Sequence, residues 1–188
     1  MAKVNIVGEY KKTGLTEQKI RQTVEAVFDF LNSSLSSRAQ VEGSIKKMDS
    51  HRSLSAGEIP ASAGMTKESA GITKDGGNYT RASKTINIAF VEAGEIRELN
   101  KDYRKKDSPT DVLSFDYRDE GDMILCIDQI DELKDSQETL PEAILKTMIH
   151  GALHLFGFDH EKAHDRDIMR KAEEEIYLHC HSREGGDL

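Results

Sequence analysis

Apolar and polar positions switch between two periods along this chain, and the switches mark its elements. Val4, Ile6 and Tyr10 fall on alternate or near-alternate positions, which predicts an opening strand that enters a turn at Gly14. Thr16 is placed as an N-cap with Glu17 beside the positive helix terminus, and Ile20, Val24, Val27, Phe28 and Leu31 then repeat at helical spacing. That period is lost after Asn32. Ile86, Ile88 and Phe90 alternate, so TINIAFV reads as a half-buried strand. Ile96, Leu99 and Tyr103 predict a short helix from Ala93 to Tyr103. Pro109 ends a polar loop, after which DVLSFDY and MILCI read as two strands close together. A short helix is predicted from Gln129 to about Lys134. Leu140 to Phe156 forms a long, strongly apolar helix with Pro141 near its first turn, where proline is tolerated. A last helix runs from about Asp165 to Leu178, with Ile168, Ala172, Glu175 and Ile176 on overlapping faces. Strands and helices mixed in this order predict an α+β fold, a small mixed sheet packed with helices.

Between Ser33 and about Thr80 neither period persists. The run SLSAGEIPASAGMTKESAGITKDGGN is rich in turn formers and offers little to bury, which predicts a disordered insertion at about 33–80. The reading is a single domain over 1–188 interrupted by that insertion; about 140 residues remain without it, an ordinary domain size.

Composition narrows the class of protein. The chain has 188 residues and a net charge of -8, which argues against indiscriminate coating of nucleic acid but leaves room for a local basic groove. Two cysteines, Cys126 and Cys180, cannot build a disulfide framework. No run approaches the roughly 20 apolar residues of a membrane helix, and MAKVNIVGEYKK has no signal-peptide core. A cytoplasmic protein with no membrane partner is the expectation.

The chemistry concentrates in HGALHLFGFDH, residues 150–160. His150 and His154 are four apart on a predicted helix, so both imidazoles lie on one face and can reach one metal ion. Gly157 can adopt the left-handed conformation that ends a helix, and His160 follows three residues later, close enough to return to the same ion. Three neutral imidazoles leave a fourth tetrahedral position open for water, the arrangement of a catalytic zinc site. Iron, nickel and copper also suit imidazole. Zinc metalloproteases share this spacing, but a glutamate general base follows their first histidine. Here that position is Gly151, which opposes a zinc peptidase.

A second segment, RELNKDYRKKDSPTDVLSFDY, gathers Arg97, Lys101, Arg104, Lys105 and Lys106 within ten residues of an acidic chain, a pattern that suits phosphate as well as a solvated helix face. Asp111, Asp122 and Asp159 lie near enough to be weighed as a general base. Each also has a structural role available: Asp111 capping a turn, Asp122 terminating a strand, Asp159 orienting a ligand histidine. Ser114, on a strand beside the expected cleft, reads as a strand-face serine, and His164 as a surface residue. His179, Cys180 and His181 are too close in sequence to converge on one ion, so only a frayed or adventitious contact is expected there.

HGALHLFGFDH resembles the H-G-x-L-H-L-x-G-Y-D-H signature of the bacterial YbeY family of rRNA maturation factors, departing only at Phe158. LNKDYRKKDSPTDVLSF is similar to that family's second signature, and EGDMILC to its L-G-D-[IL]-V-I-C strand, with Glu120 in place of leucine. The resemblance covers about Thr85 to Tyr177 plus the first helix, and finds no counterpart for residues 33–80. It implies a metal-dependent, single-strand-specific endoribonuclease acting in 16S rRNA 3′-end maturation and late ribosome quality control. It implies one Zn2+ per chain on His150, His154 and His160, a functional arginine at Arg104, and single-stranded RNA, 16S rRNA and ribosome or ribosome-associated proteins as partners. A zinc peptidase and a non-catalytic, metal-stapled RNA-binding or ribosome-assembly factor are the alternatives. Oligomeric state is not readable.

Overall fold

The computed structural model describes residues 3–38, 84–117, 119–158, 160 and 163–182. Strand β1 (Lys3–Gly8) leads through a single 3-10 turn, Tyr10–Thr13, into helix α1 (Glu17–Arg38). The Thr16 hydroxyl accepts the Lys19 amide at 3.1 Å, as its N-cap placement requires. Helix α1 runs six residues past Asn32: the stretch SSLSSR has no apolar period but also no glycine or proline, so nothing in it breaks the helix. The rest of the expected insertion, 39–80, lies outside the described residues.

Strand β2 (Thr85–Val91), helix α2 (Ala93–Arg104), strand β3 (Val112–Asp116), strand β4 (Glu120–Cys126), helix α3 (Ile127–Leu133), helix α4 (Leu140–Leu155) and helix α5 (Ala163–Ser182) follow. The sheet order is β1-β2-β4-β3, with β1, β2 and β4 parallel and β3 antiparallel on the edge beside β4. This is the small mixed sheet of an α+β protein.

Alternation along the strands divides the core. Val4, Ile86, Ile88, Met123 and Leu125 pack on the apolar stripes of α1, α4 and α5. Ala89, Leu113, Ile124 and Cys126 face the other way and are covered by Ile96 and Leu99 of α2. Helix α4 is the central helix, because nine of its residues are buried and it touches β3, β4 and α1 as well as α5. A capping box starts it: the Thr139 amide donates to Glu142 at 2.9 Å, and Pro141 sits in the first turn.

Asp122 does not terminate a strand. It lies inside β4, 4% exposed, on the α2 side of the sheet, and accepts a hydrogen bond from Asn87 Nδ2 at 2.8 Å. Asn87 accepts one from Asn5 at 2.8 Å in turn, so a polar row crosses β1, β2 and β4. Burial raises the Asp122 carboxyl above the ordinary range, against the lowering effect of the Asn87 and Tyr117 hydrogen bonds. The HCH group belongs to the last turn of α5, with Cys180 buried against the core and His181 bonded to the Tyr177 carbonyl at 2.9 Å.

Candidate metal centre

On α4 the buried positions leave one polar stripe, Lys146, His150 and His154, spaced four apart and therefore stacked on one side. The stripe is oriented by Gly151. A Cβ there would stand 3.1 Å from Ser114 Oγ, 3.1 Å from Val112 Cγ2 and 3.2 Å from Met123 Sδ, so the helix backbone lies directly on β3 and β4. Ser114 Oγ donates to the Gly151 carbonyl at 3.0 Å and ties the same point to the sheet. Position 151 thus faces packed side chains, and no carboxylate base could stand there.

The helix ends in a Schellman turn. The Gly157 amide donates to His154 O at 3.0 Å and the Phe158 amide to Leu153 O at 3.1 Å, with Gly157 at φ 82. This reversal does two things for the site. It carries the chain back so that His160 joins the helix pair, and it aims the Phe158 carbonyl at His154 Nδ1, 3.0 Å away. Because that contact uses a backbone atom, phenylalanine in place of the resembled tyrosine leaves it intact.

The nitrogen ligand atoms of His150, His154 and His160 all lie within 4.8 Å of one another. A carbonyl can only accept, so His154 carries its proton on Nδ1 and presents a lone pair at Nε2. The Glu173 carboxylate, 2.7 Å from His150 Nδ1, selects the same tautomer for His150. The two Nε2 atoms then face each other at 3.1 Å, lone pair against lone pair, an arrangement that a shared cation relieves. Tetrahedral zinc with Zn–N bonds of about 2.0–2.1 Å separates its ligand atoms by roughly 3.3 Å. The helix pair is already at that spacing, and His160 stands on an exposed turn beside it. The residues fit a metal ion held by imidazole.

Burial, then the neighbouring His150, push the His154 imidazole down to about 4 against the opposing pull of the Phe158 carbonyl, with smaller contributions from His160 and Arg104. At neutral pH protons therefore do not compete for this ligand. Arg104 stands at the exposed end of α2, and its charge makes the smallest of these contributions.

The basic run divides in two. Arg97 Nε and Lys101 Nζ both hold Asp107, at 2.8 and 3.1 Å, and keep its carboxyl below the usual range. Lys105 Nζ donates to the Asp102 carbonyl at 2.8 Å. The side chains of Arg104 and Lys106 make no hydrogen bond or ion pair among the described residues, so of the five cations they remain available to a ligand. Asp111 caps its turn as expected, its carboxylate accepting the Val112 amide at 2.9 Å. Asp122 faces away from the histidines, and Asp159 lies outside the described residues. Glu173 is the contributor that sequence reasoning missed.

Comparison with known proteins follows this geometry. The family model described as Endoribonuclease YbeY matches residues 62–181, beginning within the segment read as an insertion. Endoribonuclease YbeY of Finegoldia magna is 41% identical over 97 residues, covering 47% of this chain and 63% of that protein. The same-named protein of Albidiferax ferrireducens is 41% identical over 96 residues, covering 48% and 65%. That of Aquifex aeolicus is 38% identical over 90 residues, covering 44% and 60%. The chain thus spans less than two thirds of the length of these relatives. A solution structure of a Thermotoga maritima protein superposes with a TM-score of 0.48 at 20% identity, covering 100% of this chain and 97% of that one.

Proposed function

This chain belongs to the YbeY family, and from that premise we propose that it is a metal-dependent endoribonuclease that cleaves single-stranded RNA in 16S rRNA 3′-end maturation and late ribosome quality control. The observation that carries the reading is the pair of Nε2 lone pairs at 3.1 Å with both Nδ1 atoms already committed. His150, His154 and His160 would hold one ion per chain, and Zn2+ suits three imidazoles with a position left open. When bound, such an ion supplies Lewis-acid polarisation of a phosphoryl oxygen and a water of lowered pKa.

The chain's own residues do the rest. Glu173 and the Phe158 carbonyl hold the two helix imidazoles in one tautomer and orientation. Arg104 offers a planar fork of donors to the phosphate and stabilises the charge that develops on it. The nucleophile is water or the neighbouring ribose 2′-hydroxyl; a cyclic phosphate product identifies the latter. Specificity for 16S rRNA rests on ribosome-associated partners in this reading, since the net charge of -8 favours no extended RNA face.

Cleavage of a labelled single-stranded RNA by the wild type and His154→Ala, with metal quantified on both, tests the proposal. Activity and metal lost together support it. Metal retained by an inactive wild type favours the stapled, non-catalytic module, and cleavage undiminished in a metal-free variant refutes it. Among the described residues no helix is long and apolar enough to cross a membrane.

A further inference from the structure

The polar stripe of α4 opens into a groove of about 670 Å³ between α4 and α5, bordered at one end by His150. Such a volume is that of a small-ligand site. Along α5, Arg170, Glu174 and Tyr177 recur at spacings of four and three, so they share the face that lines the groove. The groove's other charges are committed. Lys146 Nζ lies 2.6 Å from Glu138 and 5.1 Å from the centre of the Tyr177 ring, and Glu173 is held by His150. Arg170 and Glu174 are exposed and make no hydrogen bond or ion pair among the described residues. Next to the histidines the molecule therefore sets out a guanidinium and a carboxylate without side-chain partners among the described residues, beside the half-buried Tyr177 ring, which carries the His181 ring 4.2 Å from its centre.

We propose that this groove seats the nucleotide adjoining the cleaved linkage of single-stranded RNA, with Arg170 on its phosphate, its base against Tyr177, and Glu174 accepting an N–H from the base edge. The inference rests on the endoribonuclease reading and extends it to a substrate subsite. A guanidinium matches phosphate geometrically, and an unstacked base packs on aromatic side chains with its edge free for hydrogen bonds. A duplex offers no such base, which makes the groove a source of single-strand selectivity. Its mixed charge is informative: with Asp111 and Glu174 in the wall, inorganic phosphate is a poor ligand. A nucleotide brings N–H donors along with its phosphate. Bases that carry an exocyclic amino group, cytosine and adenine among them, are favoured over uracil, whose one edge N–H lies between two carbonyl oxygens that repel the Glu174 carboxylate.

The test uses the full chain and fluorescein-labelled single-stranded RNA octamers. Binding is read by anisotropy in EDTA, where there is no turnover, and cleavage is read on the zinc-loaded protein. Arg170→Ala, at an exposed position without side-chain partners among the described residues, should weaken octamer binding about tenfold, flatten the salt dependence by about one phosphate contact, and raise KM with little change in kcat. Tyr177 also packs against the core, so Tyr177→Leu is paired with Tyr177→Phe, which keeps the ring and should bind as the wild type does. Glu174→Gln should narrow the preference for a cytosine-rich over a uracil-rich octamer. Millimolar inorganic phosphate should not displace either RNA. If the wild type cleaves RNA while Arg170→Ala and Tyr177→Leu keep octamer affinity and KM within twofold, the subsite is overturned and the endoribonuclease reading stands. A loss confined to kcat also overturns it. A wild type that neither binds nor cleaves RNA removes the endoribonuclease reading, and the subsite with it.

Discussion

Removing the Glu173 carboxylate should weaken the metal centre without touching a metal ligand. The carboxylate lies 2.7 Å from His150 Nδ1, and the two side chains are 32% and 34% exposed, so the contact is partly screened but not solvated away. Its loss releases the His150 ring to rotate and to change tautomer, and makes Nε2 a poorer donor. Partners of this kind are worth about 10–100-fold in metal affinity, or roughly 1.4–2.7 kcal/mol. Glu173→Ala removes both the hydrogen bond and the charge, and should fall within that range. In Glu173→Gln the amide oxygen still accepts from Nδ1–H, leaving only the screened charge to be lost, so a decrease of about 3–10-fold is expected. Competition of each protein with a chromogenic zinc chelator measures the affinity directly, and His154→Ala sets the scale for loss of a ligand. The order wild type, Glu173→Gln, Glu173→Ala, His154→Ala is the expected result. Wild-type zinc affinity in Glu173→Ala, with an unchanged melting temperature, would refute the assignment of Glu173 as the orienting partner.

Three further outcomes follow from the packing. Gly151→Ala places a methyl group 3.1–3.2 Å from Ser114, Val112 and Met123, and should cost about 1–3 kcal/mol in urea unfolding; a neutral result would mean that α4 can lift from the sheet. Lys84, 7% exposed, donates to the Leu155 carbonyl at 2.7 Å and pairs with Asp116. Asp116 is half exposed and can rehydrate, so Lys84→Met should cost about 1–3 kcal/mol, chiefly from the orphaned carbonyl at the end of α4. Because the folded state raises the Asp122 carboxyl above its unfolded value, the native protein holds more protons in that window. Stability should therefore fall as pH rises from the unfolded carboxylate value through the folded one. Asp122→Asn should abolish that slope and be the more stable protein at neutral pH; a slope that persists in the variant would assign it to another group.

The elements were legible where one face is buried and the other is not. The first half of strand β2 shows this: Ile86 and Ile88 alternate with Thr85 and Asn87, and the strand's bounds emerge at Thr85 and Val91. Strand β4 is buried nearly throughout, so it offers no alternation in which an aspartate would stand out. Asp122 therefore read as a strand end, although its partner Asn87 lies on the neighbouring strand β2 and is held in turn by Asn5 of β1, where register rather than sequence spacing brings them together. The division of the basic run was hidden for a related reason. Nothing local announces that Asp107 will turn back onto Arg97 and Lys101, because that contact needs the left-handed residue Lys105 at the end of α2. Glu173 is different again. A neutral ligand histidine requires an acceptor on its second nitrogen, and the buried series Met169, Ala172 and Ile176 places Glu173 at the edge of the apolar stripe of α5. The requirement was therefore readable, but choosing Glu173 over Glu174 or Glu175 needs the rotation of α5 against α4.

Gly151 joins these levels. Its identity excludes a peptidase-type base, yet the reason lies in packing. The position is a close approach between α4 and strands β3 and β4, fastened by the Ser114 hydroxyl and tight for a Cβ. A helix seated there can bury Met148, Ile149, Ala152 and Leu153 only in one rotation, and that rotation turns Lys146, His150 and His154 toward α5. The histidine stripe thus receives its Glu173 partner, and its groove, from the contact that fills the core on the opposite side. A substitution at Gly151 should consequently disturb metal affinity in proportion to stability, whereas one at Glu173 should separate the two. Measuring both quantities on both variants distinguishes a ligand set oriented by the fold from one that the metal assembles for itself.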